Sequence, residues 1–168
     1  RITMTVTDEV GATCTDSIYY TVGTPPVLNI TAPADGATLS ADEPVVFTAT
    51  VEDNEDPPNE VALQWESDLD GIFSTASTDS SGSITLTVDS LRAGDHLVTV
   101  TATDTDGLYV TETVALNLNQ PPTAPTVAIT PNPATTGQML IASADGSEDP
   151  EGTGTITYAY TWFEDGVV

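Results

Sequence analysis

Hydrophobic residues recur at every second position in short runs along this chain, and turn residues separate the runs. The stretch "VVFTATV" (45–51) places Val45, Phe47, Ala49 and Val51 on one face. In the same way "VALQW" (61–65) aligns Val61, Leu63 and Trp65, and "SITLTVD" (83–89) aligns Ile84, Leu86 and Val88. "HLVTVTAT" (96–103) does so with Val98, Val100 and Ala102. A longer run, 108–118, offers Leu108, Val110, Val114, Leu116 and Leu118, with Glu112 interrupting the face, so a bulge or local exposure is expected there. "VLNIT" (27–31) reads as a first strand. A period of two marks half-buried β-strands, and no stretch carries a helical period. Threonine is very abundant, and threonine and valine suit a pleated surface with one face buried.

The pattern also repeats. Moving residues 2–26 along by 96 lays them on 98–122 without a gap: Thr3, Thr5, Thr7, Asp8, Gly11, Thr15, Pro25 and Pro26 fall on Thr99, Thr101, Thr103, Asp104, Gly107, Thr111, Pro121 and Pro122. "VEDNEDPPNEVALQWESDLDG" (51–71) is echoed by "ADGSEDPEGTGTITYAYTWFEDG" (144–166), each with a Glu-Asp-Pro turn, an alternating run, a tryptophan and a closing Asp-Gly. The period is about 95 residues. Three segments follow: 1–23, the C-terminal strands of a preceding unit; 24–120, a complete unit; and 121–168, the N-terminal strands of a following one. The chain thus reads as a window on a longer array, whose incomplete ends need missing sequence or a neighbouring copy to cover them.

About seven short strands per unit, with turn signals every 8–12 residues, predict an all-β fold of tandem immunoglobulin-like β-sandwiches with Greek-key connections. Trp65 takes the place of the core tryptophan of that architecture. His96, in "LRAGDH" (91–96), stands where the corner before the sixth strand often carries a tyrosine, and is expected to hydrogen-bond at that corner. Cys14, the only cysteine, aligns with the inward Val110 and is expected to be a buried thiol. Asn29-Ile30-Thr31 has the form of a glycosylation sequon.

Charge narrows the function. Only two Lys or Arg residues face 26 Asp and Glu, a formal net charge of −24. A nucleic-acid surface needs a basic stripe, which is absent. Binding to an anionic membrane surface is disfavoured for the same reason, and no apolar run is long enough to insert directly into a membrane. Cation attraction and solubility are what such a charge favours.

The stretches "GSEDPEG" (146–152), "YAYTWFEDG" (158–166), "LRAGDHLVTVTATDTDG" (91–107) and "NQPPTAPTVAITP" (119–131) resemble the immunoglobulin-like repeats of large bacterial surface and secreted proteins. They are similar to polycystic-kidney-disease domains and to bacterial cadherin-like repeats, with the Trp-Asp-Phe-Gly-Asp-Gly hallmark only partly kept in "WESDLDG" (65–71) and "WFEDG" (162–166). The resemblance implies an extracellular, cell-surface spacer, stalk or adhesive module, some members of which bind calcium.

In such a sandwich the loop after the second strand and the loop before the last share one end. Glu52, Asp53, Glu55, Asp56, Asp104 and Asp106 are therefore expected to converge. Calcium takes 6–8 oxygens in irregular geometry and is the cation such loops suit. At the opposite pole, Asp68 and Asp70 face the next unit and could share a cation with Asp145, Glu148, Asp149 or Glu151. Asp-Gly is also ordinary turn chemistry, so turn-forming aspartates are the competing reading. The double prolines stiffen the linkers.

Nothing points to catalysis. Paired carboxylates of a glycosidase need a cleft, and here the acids sit on turns beside proline and glycine. The single histidine has no serine and aspartate at nucleophile spacing. The expected function is a non-catalytic stalk or filament on a cell surface, rigidified by calcium. The alternatives are an adhesion or carbohydrate-binding module, for which Tyr19 and Tyr20 are the available aromatics, or an accessory spacer of a secreted hydrolase. Expected partners are neighbouring repeats or copies of the chain itself, and surface glycans or proteins. Tyr158 and Tyr160 are also available, but their alternate strand positions lead to the expectation that they are packed or inter-strand.

Overall fold

The computed structural model describes residues 1–20, 22–152 and 154–163. The second closing Asp-Gly, Asp165-Gly166, lies outside the described residues. Twelve strands are described: β1 (Ile2–Thr7), β2 (Thr13–Ile18), β3 (Val27–Ala32), β4 (Ala37–Ser40), β5 (Val45–Glu52), β6 (Ala62–Ser67), β7 (Gly71–Ser74), β8 (Ser83–Val88), β9 (Gly94–Thr103), β10 (Tyr109–Asn119), β11 (Thr126–Thr130) and β12 (Ile141–Asp145). One 3₁₀ turn, Pro58–Glu60, interrupts the loop between β5 and β6.

Strands β3 to β10 build the central unit from two sheets. One is β3-β5-β8; the other is β4-β10-β9-β6-β7. Only β4 and β10 run parallel, and the other pairs are antiparallel. This is the two-layer arrangement that alternation demands, because each sheet has one apolar face to bury. The inward residues are those the period of two selects: Val45, Phe47, Ala49 and Val51 from one sheet, and Val61, Leu63, Trp65, Val98, Val100 and Ala102 from the other. Phe47, Trp65 and Phe73 form the centre, with ring centroids 5.6 Å apart for Phe47–Trp65 and 5.5 Å for Phe47–Phe73. The outward residues of β9 and β10 form threonine pairs, Thr99 opposite Thr113 and Thr101 opposite Thr111.

Several details differ from the sequence reading. Strands β4 and β7 are too short, at four residues each, to show a period. Glu112 is exposed without a bulge, since the β9–β10 register runs unbroken from Tyr109 to Leu118. Strand β4 flanks β10 only at Leu116–Asn119, so Glu112 sits on an unpaired edge where water reaches it. Such an acid protects an edge against stray strand pairing. The irregularities fall elsewhere, between Ile30 and Ala32 and between Trp65 and Glu66.

The terminal hairpins copy parts of the centre. In β1–β2, Ile2 faces Ile18 and Thr7 faces Thr13; 96 residues on, in β9–β10, Val98 faces Val114 and Thr103 faces Tyr109. In β11–β12, Thr126 faces Asp145 and Ile129 faces Ala142, which repeats Val27 with Glu52 and Ile30 with Ala49 in β3–β5. Their apolar faces, however, have no second sheet over them. Cys14 is therefore exposed, against the expected buried thiol. Tyr158 and Tyr160 likewise lie on an exposed segment outside any strand, not packed as their alternation suggests.

Candidate functional site

The aspartates of the turns share one local structure. In "DEVGA" (8–12), "DSSGS" (79–83) and "DTDGL" (104–108) the aspartate N–H donates to the carbonyl four residues on, at 3.0, 2.9 and 2.9 Å. The glycine N–H donates to the aspartate carbonyl at 3.1, 3.0 and 3.3 Å. The fifth residue's N–H donates to the aspartate Oδ1 at 2.8, 3.0 and 2.7 Å. Each glycine has positive φ: +85°, +80° and +88°. This is a hairpin turn closed by a left-handed residue, with a carboxylate tying its ends. Hydrogen bonds from the Ser81 hydroxyl, and then from the backbone N–H of Ser83, hold the exposed Asp79 carboxyl below the usual carboxylate range. Asp104, expected among the cation ligands, thus spends its Oδ1 on the turn.

The loop after β5 meets that turn. Asp56 accepts from the Thr105 N–H at 3.0 Å and from its hydroxyl at 2.9 Å, bringing residues 52–56 and 104–106 to one end of the sandwich as expected. Asp53 Oδ1 accepts from the N–H groups of Glu55 and Asp56, both at 2.8 Å. Asp53 Oδ2 is buried with no partner. Glu52 is exposed, and Asp106 lines a cleft with Tyr19, Tyr20, Val22, Gly23 and Leu108.

At the opposite pole, Asp68 Oδ1 accepts from the Leu97 N–H at 2.8 Å. Asp70 Oδ1 lies 2.5 Å from Arg92 Nε and its Oδ2 accepts from the Arg92 N–H at 2.9 Å. His96 is buried beside them. Its Nε2 can only donate to the Arg92 carbonyl, at 2.8 Å, so a neutral ring accepts at Nδ1 from the Ser67 hydroxyl, at 2.7 Å. Ser67 Oγ in turn accepts from Leu69 N–H at 3.2 Å. His96 is therefore the corner hydrogen-bonder its position indicates. Ser67, only 1% exposed, is closed to any substrate.

Burial raises the Asp70 carboxyl's pKa, but hydrogen bonds from the Arg92 N–H and guanidinium, and the guanidinium's charge, outweigh that and hold it below the usual range. A depressed acid stabilises the fold fully above its unfolded pKa, about 3.9, and loses that contribution as pH falls through the folded value. Stability is thus expected to fall below about pH 4, and Asp70→Asn to flatten that acid limb while costing about 1 kcal/mol at pH 7. Thermal melts of both proteins from pH 2 to 7 check this; parallel acid limbs would refute it.

At the junctions, a threonine joins each linker to the loop that follows. Thr24 donates its hydroxyl to Glu55 Oε2 at 2.9 Å. Its counterpart Thr123, three residues before β11 as Thr24 is before β3, donates its N–H to the Glu148 carbonyl at 2.8 Å and accepts from the Glu148 N–H at 2.7 Å. The Gln120 N–H donates to Glu151 Oε1 at 2.7 Å, while Glu151 Oε2 is buried and unpartnered. Asp149 lies below the usual carboxylate range, under the influence of the neighbouring Glu151 carboxyl first and then of the Glu151 N–H, which donates to its Oδ1 at 3.2 Å. Asp145 Oδ1 accepts from the Gly146 N–H at 2.8 Å.

The expected cation clusters are therefore brought together only in part. Residues 52–56 and 104–106 share an end, but Asp68 and Asp70 are committed within the central unit. Among the described residues no group of three or more His, Cys, Asp or Glu side chains is disposed to hold a metal ion. Sequence reasoning passed over Thr24, Thr105, Thr123 and Arg92. Threonine is so common here that only the fold distinguishes those that stitch loops together.

Residues 26–100 match the family model of a bacterial Ig domain, just under half of the chain. No curated protein matches the chain.

Proposed function

From the premise that residues 26–100 form a bacterial Ig domain, we propose that the chain is a non-catalytic, extracellular spacer. It is built of repeated sandwich units whose linkers are docked rather than free. The match supports the coarse part of this reading, a structural repeat of bacterial surface proteins. No helix among the described residues is long and apolar enough to cross a membrane. The observation that carries the finer part is that a linker threonine bonds the acidic loop that follows at both junctions, Thr24 to the Glu55 carboxylate and Thr123 to the Glu148 main chain. A linker held by hydrogen bonds as well as by prolines transmits orientation from one unit to the next.

Small-angle scattering from the dilute chain tests this. A stiff, elongated particle is expected at low and at moderate salt. A broad distribution, as from units on a free tether, would reject docking.

Calcium enters as a looser partner, drawn by the overall charge and by the two unsatisfied oxygens, Asp53 Oδ2 and Glu151 Oε2. Calcium at tenfold its dissociation constant would add about 1.4 kcal/mol of stability. Melting in millimolar calcium against sodium of equal ionic strength decides the point: identical melting temperatures remove calcium from the mechanism.

A further inference from the structure

We propose that the outer face of the central unit carries a binding groove for an uncharged sugar, between β6 and β9 on one side and residues 75–77 on the other. The groove adds an adhesive contact to a spacer, and it does not depend on how the units are joined.

The groove exists because β7 is short. On one side β6 pairs with β9 along its whole length, with Ala62 facing Thr103 and Gln64 facing Thr101. On the other side β7 covers only Trp65, Glu66 and Ser67, and it ends at Ser74. Beyond that point the chain is pinned twice. The Ala76 N–H donates to Ser74 Oγ at 3.1 Å, and the buried Thr78 donates its hydroxyl to the Pro58 carbonyl at 2.8 Å. Residues 75–77 therefore span a gap beside Ala62–Gln64 instead of pairing with them. The space left is a groove of about 330 Å³, at the small end of the range of ligand sites, about 300–1,000 Å³. Both walls are tied down, so the groove is formed before any ligand arrives.

Its lining selects the ligand. Thr101 and Thr103 stand on one rim and Thr75 and Ser77 on the other, with Ala62 between them. Elsewhere threonines spend their hydroxyls inside the protein, as Thr31, Thr78 and Thr105 do. The rim hydroxyls have no partner among the described residues, and the Gln64 amide reaches only Glu66, at 3.5 Å. The methyls of Ala62 and of the threonines add apolar surface between these polar groups. A sugar ring has the matching makeup: apolar C–H faces, and hydroxyls around its edge that donate and accept as the rim hydroxyls and the amide do. Charge points the same way. The chain carries −24, and the clefts at Asp106, at Glu52 and Asp53, and at Asp145 each hold a carboxylate. This groove holds none, so a cation finds no ligand in it, while the field of the whole chain repels an anion. An added peptide strand would find only Ala62–Gln64 of the β6 edge open, a short purchase.

Titration of the whole chain with the methyl glycosides of glucose, galactose, mannose and N-acetylglucosamine, and with lactose and cellobiose, tests the proposal through amide chemical shifts. At least one of these sugars should give saturable shifts centred on residues 62–64, 75–77 and 101–103. With no charge or aromatic ring to grip the sugar, the dissociation constant is expected at about 1 mM. Ala62→Phe fills the groove from an exposed position and should abolish the shifts with an unchanged melt. Thr101→Val keeps the shape, removes a hydroxyl and should weaken binding about fivefold. Thr113→Val, on the same face of β10 but outside the groove, should leave binding unchanged. No saturable shift with any of these sugars, shifts centred elsewhere, binding that survives Ala62→Phe, or equal losses for the two threonine variants would overturn the proposal. So would protection of the Ala62–Gln64 amides by an uncharged peptide, acetyl-Thr-Val-Thr-Val amide, that no sugar matches, since the open edge would then be a site of strand addition. Small-angle scattering reports linker docking alone, so that reading and this one fail separately.

Discussion

Replacing Trp65 by alanine is expected to remove about 3–5 kcal/mol of stability from the central unit. The indole is fully buried and touches both Phe47 and Phe73, the latter at 6.4 Å between centroids. It stands between the two sheets, where no neighbouring side chain can collapse into the space without leaving its own contacts. A domain of this size has only about 5–15 kcal/mol in total. At about 4–8 °C per kcal/mol, the melting temperature should fall by at least about 12 °C. Circular dichroism of thermal unfolding measures this. Trp162→Ala, at a half-exposed position with no sheet over it, should cost less than about 0.5 kcal/mol in the dilute chain. A loss below about 1 kcal/mol for Trp65→Ala would mean that the sandwich is not centred on this ring. The indole N–H is buried without a partner, so Trp65→Phe should cost clearly less than Trp65→Ala, because it keeps a ring and removes an unpaired donor.

Gly82→Ala is the second large effect, and its cause is different. Gly82 has φ of +80°, and a Cβ there would lie 2.2 Å from the Val51 carbonyl oxygen. The approach is close because the Val51 N–H donates to the Gly82 carbonyl at 2.8 Å, which ties the turn before β8 to the end of β5. Two costs add: about 1–2 kcal/mol for a side chain in the left-handed region, and the separation of two backbones that hold the three-stranded sheet together. A loss above about 3 kcal/mol is expected. Gly36→Ala and Gly107→Ala supply the comparison, since both have positive φ and nothing within 4 Å of the added Cβ. They should show the first cost alone. Denaturant unfolding of the three variants separates the terms, and equal losses at Gly82 and Gly36 would contradict the close approach.

These two positions also show how legible the protein was. Trp65 could be read from alternation, because a tryptophan in phase with Val61 and Leu63 has only one face to occupy. Gly82 could be read as a turn glycine but not as a point of contact, since Val51 is 31 positions earlier and nothing local links them. The acidic residues divide in the same way. Asp8, Asp79 and Asp104 recur with glycine three residues later, a spacing that already describes the turn they close. The expectation that the Asp104 and Asp106 turn gathers cation ligands did not foresee that Asp104 Oδ1 ties the hairpin by accepting from the Leu108 N–H. Asp70 was placed at a junction with the next unit, whereas its partner proved to be Arg92, which reaches it across the pole of its own sandwich. With only two Lys or Arg residues in the chain, that pairing was available in principle but undirected.

By itself the sequence determined the longer strands of the central unit and most of their inward faces, because these depend on periodicity and on turn chemistry within a few residues. It determined the sandwich class, because two alternating faces must bury each other. Only the tertiary structure decided which polar groups meet across distant loops. Thr24 on Glu55, Thr105 on Asp56, Ser67 on His96 and Arg92 on Asp70 are each separated by more than twenty residues. Hydrogen bonds are directional and short-ranged, so they are selected by where the backbone brings two side chains, not by any pattern along it. The exposure of Cys14, Tyr158, Tyr160 and Trp162 was decided there too, because an inward-facing residue is buried only where a second sheet lies over it.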